Sequence, residues 1–457
     1  MKGDFSRNTF DRTHHFARVL MQQGRVLLDA DWNEQTAILL HYLRTLASDL
    51  VGPHGGPGES FQIAQRLDDR NMPVARDFWV KPGNYYVNGL LCENETGVAY
   101  LGQPDYPLTD AEQLQAGQAY LVYLDVWERH YTSLQAPGIR EVALGGPDTT
   151  TRARVIWQVK AQVHRGDCPE GEVWTGLVEQ WQPKNRGLLR AGVEEFDGET
   201  TEPCITSPES KYRGAENQLY RVEVHRGGQA GEATFKWSRE NGAVTLPILK
   251  MSGNTVILEH LGRDERLSLH PGDWVEVVDD PAELRGEPYP LYKVKSVDRE
   301  TRTVFLEVPQ GSTPPYYDEA HTTHPYLRRW DYQILKPSAG YPAQGEDGAL
   351  RIEEGKKLFL EDGIQIMFEH APDQTPSHVY RSGDYWLIPA RTATGDVEWL
   401  GARNDPDAVP PHGVDHHYAP LAMISVGNDG NITADDCRCS FLSLCELTET
   451  AHRHNTH

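Results

Sequence analysis

From about residue 75 onward, apolar residues recur at every second position in short runs separated by turns. This alternation is typical of β-strands that bury one face. The run AYLVYLDVWE at residues 119–128 is apolar almost throughout and predicts a central strand. The phrase GNYYVNG at residues 83–89 predicts a hairpin with its turn at Asn88 and Gly89. The chain is therefore predicted to be mainly β.

The first 60 residues contain the one convincing long helix. Its predicted span is Trp32 to Leu50, because apolar residues recur there at three- and four-residue spacing. Asp29 and Asp31 precede it as candidate N-cap residues. The leucines on one stripe are Leu39, Leu43, Leu46 and Leu50. This stripe either packs on the chain's own domain or meets other copies of the chain, since so short a helix needs a partner surface.

The fold class that these patterns indicate is a multidomain β-sandwich and barrel body with an N-terminal α-helix. Residues 1–60 form a predicted docking or oligomerisation segment, and residues 61–250 a β-rich domain. Short strands at regular spacing in residues 251–312 predict a small SH3-like or OB-like barrel. Residues 313–445 are a predicted C-terminal β domain, and residues 446–457 a flexible tail.

Residues 165–217 interrupt this series of strands. They are polar and rich in Gly, Pro and paired acids, and we predict an irregular loop there.

Charge and composition exclude several classes of protein. The chain has 67 acidic and 44 basic residues, a net charge of −23, which repels nucleic-acid phosphates. No run of 18 apolar residues occurs, so membrane insertion is not expected. The start of the chain lacks an apolar signal sequence, and six cysteines are too few for a disulfide scaffold. We therefore expect synthesis in the cytoplasm with reduced thiols.

Short catalytic motifs are absent from the sequence: it has no P-loop, no Rossmann glycine pattern, no G-x-S-x-G and no H-E-x-x-H. Adjacent carboxylates are plentiful, as in any acidic protein. We predict that the chain is not an enzyme, with a polysaccharide-acting hydrolase as an alternative. Its eleven tryptophans are core residues, interface residues or platforms for a glycan.

Two groups of residues have side chains of the types that can bind metals. The candidate ligands are His412 and His416 in one loop, and Cys437 and Cys439 near the C-terminus. The cysteine spacing fits none of the usual zinc patterns. The adjacent His416 and His417 would point to opposite faces of a strand, so they could not both reach one metal ion. The alternatives are a polar turn and a chance grouping beside the histidines at positions 452, 454 and 457. No cofactor is predicted.

Several phrases together resemble a large uncharacterised bacterial family that we associate with phage-tail-like gene clusters, including extracellular contractile injection systems. They are KGDFSR (2–7), VLMQQGRVLLDADWNEQ (19–35), YLDVWER (123–129), EVALGGPD (141–148), ENQLYRVE (216–223), FKWSRENG (235–242) and GDYWLIPAR (383–391). The association implies a structural part of such a particle and no catalytic residues.

The resemblance and the residues lead to one expected function. We expect a homo-oligomeric particle component that also contacts other particle proteins and leaves the cell when the particle is released. The expected docking residues are Arg25, Trp32, Leu39, Leu43 and Leu46. The rival interpretation is a cell-surface module that binds a glycan through its aromatic residues.

Overall fold

A computed structural model describes residues 1–193, 211–308, 322–331, 344–345, 347–371 and 377–442. The predicted mainly β architecture is confirmed. The α-helices of the described residues are α1 Asp29–Val51, α2 Gly171–Trp181 and α3 Asp280–Arg285. The strands, in chain order, are β1 His54–Pro57, β2 Ile63–Leu67, β3 Pro73–Val80, β4 Gly83–Val87, β5 Leu90–Asn94, β6 Val98–Ala99, β7 Ala119–Tyr131, β8 Arg152–Val163, β9 Leu189–Val193, β10 Gln218–Arg226, β11 Gly228–Gln229, β12 Thr234–Ser238, β13 Thr245–Ser252, β14 Thr255–Leu258, β15 Trp274–Val278, β16 Leu291–Asp298, β17 Thr303–Glu307, β18 Tyr326–Trp330, β19 Leu350–Arg351, β20 Lys357–Phe359, β21 Ile364–Phe368, β22 Val379–Tyr380, β23 Tyr385–Arg391, β24 Asp396–Val397, β25 Gly401–Ala402, β26 Asp405–Pro406, β27 His417–Val426, β28 Ile432–Asp436 and β29 Ser440–Phe441.

The chain forms two compact units, each built from separate stretches of sequence. The unit that contains α1, called the helix unit, comprises Thr9–His130, Arg152–Gln182 and the described residues from Asp415 onward. The other, called the barrel unit, comprises Met1–Asn8, Tyr131–Thr151 and the described residues of Pro183–Val414.

Three sheets enclose the core of the helix unit. Their strand orders are β28-β27-β7-β8, β29-β1-β4-β5 and β2-β3-β6. The predicted central strand is confirmed, since β7 pairs with β27 on one side and β8 on the other. The predicted hairpin turn is confirmed as well: Asn88 and Gly89 join β4 to β5, both with positive φ. Buried aromatic and aliphatic side chains from these sheets fill the core, for example Phe78, Tyr85 and Leu421.

A closed six-stranded barrel marks the barrel unit. Its strand order is β13-β14-β17-β16-β15-β18, and β18 pairs back onto β13. A five-stranded sheet, β19-β12-β10-β23-β24, and a three-stranded sheet, β20-β21-β9, complete most of the unit. The barrel has its own apolar core, which includes Val256, Val294 and Leu306, and a second core lies on the five-stranded sheet.

Helix α1 is confirmed and is slightly longer than predicted. Its N-cap is Leu28, which makes no side-chain capping hydrogen bond. Asp29 and Asp31 are therefore not caps. They stand in the first turn, where the positive end of the helix dipole favours carboxylates.

Helix α2 lies in the region that we expected to be irregular. Trp174, Leu177 and Trp181 follow one another at helical spacing and pack against a buried cluster that contains Tyr123. Their tertiary contacts stabilise a helix that has no capping side chain. Among the described residues, no helix is both long enough and apolar enough to cross a lipid bilayer.

Candidate docking surface

Helix α1 packs on the helix unit through one face. Ala30 and Ile38 on this face are buried. Arg44 on the same face donates two hydrogen bonds to the carboxylate of Glu128, at 3.0 and 2.7 Å. Gly89 permits the close approach, because a Cβ there would lie 2.2 Å from the Arg44 carbonyl oxygen. The helix is thus fixed in orientation, and its opposite face points away from the sheets.

That opposite face is exposed and apolar, and we call it the leucine face. The exposed fractions are 78% for Trp32, 53% for Leu39, 62% for Leu43, 57% for Leu46 and 77% for Leu50. These side chains alternate at three- and four-residue spacing from residue 39, which is the spacing of a coiled-coil seam. The structure therefore places four predicted docking residues on one uncovered surface.

A loop precedes α1, and residues 18–28 are called the basic loop. No acidic residue occurs from position 12 to position 28, whereas Arg12, Arg18 and Arg25 do. The loop turns at Gln22–Arg25, where the Arg25 N–H donates to the Gln22 carbonyl oxygen at 3.4 Å. Gly24 has a φ of +70° in this turn, a conformation that glycine adopts without strain. At its base, the Val19 N–H donates to Gln35 Oε1 of α1 at 2.8 Å.

The basic loop exposes apolar side chains on both sides of its turn. They are Leu20, Met21, Val26, Leu27 and Leu28. Within the described residues, neither Arg18 nor Arg25 forms an ion pair. Arg25, the fifth predicted docking residue, therefore stands beside uncovered apolar surface with a free positive charge. Loop and helix together form the candidate docking surface.

One family model matches most of the chain, including the residues of this surface. The model of a family of unknown function, DUF6519, matches residues 1–167 and 185–456. The chain belongs to this family. No curated protein and no solved structure matches the chain. The basic loop and α1 both lie inside the matched range.

The two candidate histidine ligands have other partners. His416 Nδ1 lies 2.6 Å from Asp125 Oδ1, and Lys160 donates to the same carboxylate at 2.7 Å. Burial raises the pKa of Asp125, but His416 and Lys160 outweigh it and hold the pKa below its ordinary value. His412 exchanges two backbone hydrogen bonds with Tyr385. The His416 ring thus contacts a carboxylate, and the bonds given for His412 are made by its backbone.

The predicted role of Cys437 as a metal ligand is wrong. Cys437 forms a disulfide with Cys168, with Cα atoms 5.5 Å apart, so its sulfur is not a free thiolate. The expectation of reduced thiols fails at this pair. Cys439 is free and exposed. In the part of the chain that the structure describes, no three His, Cys, Asp or Glu side chains are arranged to hold a metal ion, and the histidines at 452, 454 and 457 lie outside that part.

The barrel unit contains a buried ionic cluster around Lys236. Its ammonium lies 2.8 Å from Glu276 and 3.6 Å from Glu223. Arg221 and Lys2 also contact Glu223, at 2.6 and 3.1 Å. Burial raises the pKa of Glu223, but the three cations lower it by more. The pKa of Glu223 is therefore below its ordinary value. Each charge has an opposite charge within the cluster, as buried ions require.

A second, partly buried group of ion pairs in the barrel unit contains carboxylates with raised pKa values. Glu361 accepts hydrogen bonds from Tyr220 at 3.0 Å and Arg239 at 2.7 Å, and Glu240 accepts one from Arg329 at 3.1 Å. Burial, more than any neighbouring charge, raises the pKa of Glu240 and of Glu361 to about 7. Perturbed carboxylates mark catalytic sites in many proteins, but ion-pair networks produce the same shifts. Here every carboxylate is bonded to an arginine.

Sequence reasoning missed both ionic groups, although one signal was present. Arg221, Glu223 and His225 alternate with Tyr220, Val222 and Val224 along β10. The three polar side chains therefore lie on one face of the strand and the apolar ones on the other. Charges at alternate positions of an apolar strand indicate a buried polar face with partners on another strand.

Proposed function

We propose that this protein is a structural component of a phage-tail-like or contractile injection particle and that it self-associates through the leucine face of α1. The observation that carries the proposal is the row of exposed apolar side chains on that face. Large uncovered apolar patches on soluble proteins commonly mark interaction sites. The likeness of the sequence phrases to proteins of such gene clusters supports the kind of assembly.

The partner that best fits the leucine face is the same face of a second copy. Trp32, Leu39 and Leu46 repeat at intervals of seven residues, and so do Leu43 and Leu50. A row with this repeat packs side chain against side chain on an identical row. Burial of a fully exposed leucine contributes roughly 1.5–3 kcal/mol, and the leucines of both copies must together exceed the cost of association, which is about 4–15 kcal/mol.

A glycan is less well supported as the ligand. All eleven tryptophans lie in the described part of the chain, and Trp32 alone is exposed. The other ten are buried or half-buried, and a stacking platform needs an open aromatic face. Trp32 itself belongs to the leucine face.

The first test is to change the leucine face and measure assembly. We expect the wild type to sediment as an oligomer and Leu43→Glu with Leu46→Glu to sediment as a smaller species, since two carboxylates would be buried in the leucine-face contact. Both side chains are exposed, so the circular dichroism spectrum and Tm of the variant should match the wild type.

The matched control is Val142→Glu with Leu144→Glu, which alters two equally exposed apolar residues of the barrel unit. The control should keep the wild-type oligomer. An unchanged oligomer in the leucine variant would refute the contact. Electron microscopy and mass spectrometry of particles from a producing strain test the particle itself, which should contain the wild-type chain and lack the leucine variant.

A further inference from the structure

An open groove of about 450 Å³ lies on the helix unit beside the Cys168–Cys437 disulfide. Its lining residues are Gly166, Asp167, Cys168, Glu170, Met423 and Asp435. We call it the acidic groove. Its volume falls within the roughly 300–1,000 Å³ of pockets that hold small ligands, which is ample for side chains at the tip of a loop.

The floor of the acidic groove is apolar and well supported. Met423 is buried in a cluster with Leu121 and Tyr123, and Cys168 packs against the same cluster. Trp181 of α2 stacks on Tyr123 with ring centroids 3.9 Å apart. The disulfide ties the loop before α2 to the end of β28, so both sides of the groove are anchored.

Three carboxylates form the rim. Asp167, Glu170 and Asp435 are exposed, and within the described residues none of them makes an ion pair. Their negative charge is therefore uncompensated. A small metal ion is not the fitting occupant, because no three acidic, histidine or cysteine side chains of the described chain converge to hold one.

The basic loop has the complementary properties. It carries unpaired Arg18 and Arg25 beside five exposed apolar side chains, and it contains no acid. The rest of the chain is strongly acidic, since the five basic and two acidic residues of positions 1–28 leave 39 basic and 65 acidic residues beyond them. The side chains of the loop are exposed, so they do not fill the groove of their own chain.

We propose that the basic loop of one copy binds the acidic groove of a second copy. Apolar residues of the loop would cover Met423 and the disulfide, while Arg18 and Arg25 pair with the carboxylates of the rim. This inference rests on the proposed function in one respect, that the protein self-assembles, but it uses a different surface from the leucine face.

Loop and groove are different surfaces of one molecule, so two copies can engage them reciprocally, which closes a dimer, or head to tail. A head-to-tail contact repeats from copy to copy and produces a ring or an open filament, whereas the leucine face can pair with itself and close. The two contacts together allow growth beyond a dimer, as a particle component requires.

The test reverses the charges on each side of the contact. Arg18→Glu with Arg25→Glu changes the loop, and Glu170→Arg with Asp435→Arg changes the groove. We expect each double variant to associate about tenfold or more weakly than the wild type in sedimentation equilibrium. The chain with all four reversals should regain association, because the charges are complementary again. All four residues are exposed, and unchanged circular dichroism spectra would show that the variants fold.

The matched control is Arg70→Glu with Glu95→Arg, two exposed residues of the same unit that should leave association unchanged. Failure of the fourfold variant to recover, or normal association of the loop and groove variants, overturns the inference.

If the leucine variant dissociates while the charge variants do not, the proposed function stands and this inference fails. If the charge variants alone dissociate, the reverse holds, and a wild type that is monomeric at every concentration refutes both.

Discussion

The ionic cluster of the barrel unit and the leucine face of the helix unit place charged and apolar side chains in opposite environments. The barrel unit buries charged side chains such as Lys236, Glu223 and Glu276, and pairs them with one another. The helix unit leaves leucines on α1 exposed. Buried ions are costly unless their partners are already present, so the cluster around Lys236 is complete in itself. Exposed leucines contribute to stability only when another surface covers them. This difference is why we propose that the helix unit mediates assembly.

The largest effect should follow from breaking the ionic cluster. Lys236→Met leaves the carboxylates of Glu276 and Glu223 buried with less compensation, and removal of one member of a buried pair costs about 3–5 kcal/mol. Urea denaturation followed by tryptophan fluorescence should show this loss. Lys250→Met, an exposed lysine of β13, should change the free energy of unfolding by less than about 0.5 kcal/mol. Equal effects of the two substitutions would contradict a paired interior.

A smaller effect separates two neighbouring residues of α1. Ile38→Ala removes a buried side chain and should lower the free energy of unfolding by about 2–4 kcal/mol. Leu39→Ala alters an exposed one and should change it by about 0.5 kcal/mol or less. Self-association should show the reverse order, weak in Leu39→Ala and retained in Ile38→Ala wherever that variant is folded. Urea denaturation at high dilution and sedimentation at high concentration measure the two quantities separately.

The smallest effect is a dependence on pH. The pKa of Glu361 rises from 4.5 to about 7 on folding, chiefly through burial, while Arg239 lowers it and Asp331 raises it. The folded state therefore binds the proton more tightly, so this group's stabilising contribution is lost as the pH rises from 4.5 through 7. Glu361→Gln should become more stable relative to the wild type between pH 5 and pH 8.

Urea midpoints of both proteins at the two pH values check this prediction. Parallel changes in the wild type and the Gln variant would show that Glu361 does not titrate as described. The leucine face contains no titratable side chain, so association through it should stay constant over the same interval.

Local patterns in the sequence predicted much of the fold. The period of the leucines indicated α1, the Asn88–Gly89 pair indicated a hairpin, and short strands at regular spacing indicated a barrel. Helix α2 was missed although Trp174, Leu177 and Trp181 follow helical spacing, because the Gly, Pro and paired acids of residues 165–217 indicated a loop. The interleaving of the two units could not be predicted either, since it depends on pairings such as β7 with β27.

The candidate docking surface, like the fold, was predictable from the sequence only in part. The spacing of Leu39, Leu43 and Leu46 predicted a stripe, but whether the stripe is covered depends on which side Ile38 and Arg44 fix to the body. The disulfide of Cys437 was missed because Cys168 lies 269 residues away. The acidic groove was missed for the same reason, as its rim comes from two distant segments.

The pairing of β7 with β27 also sets an order of events during synthesis. The ribosome completes α1 and β7 long before it reaches residues 417–426, so the main sheet of the helix unit lacks a strand for most of translation. A nascent chain therefore carries its leucines without the rigid support that presents them. Under the proposed self-association, subunits should therefore join only after translation has passed β27, so that unfinished polypeptides are not incorporated.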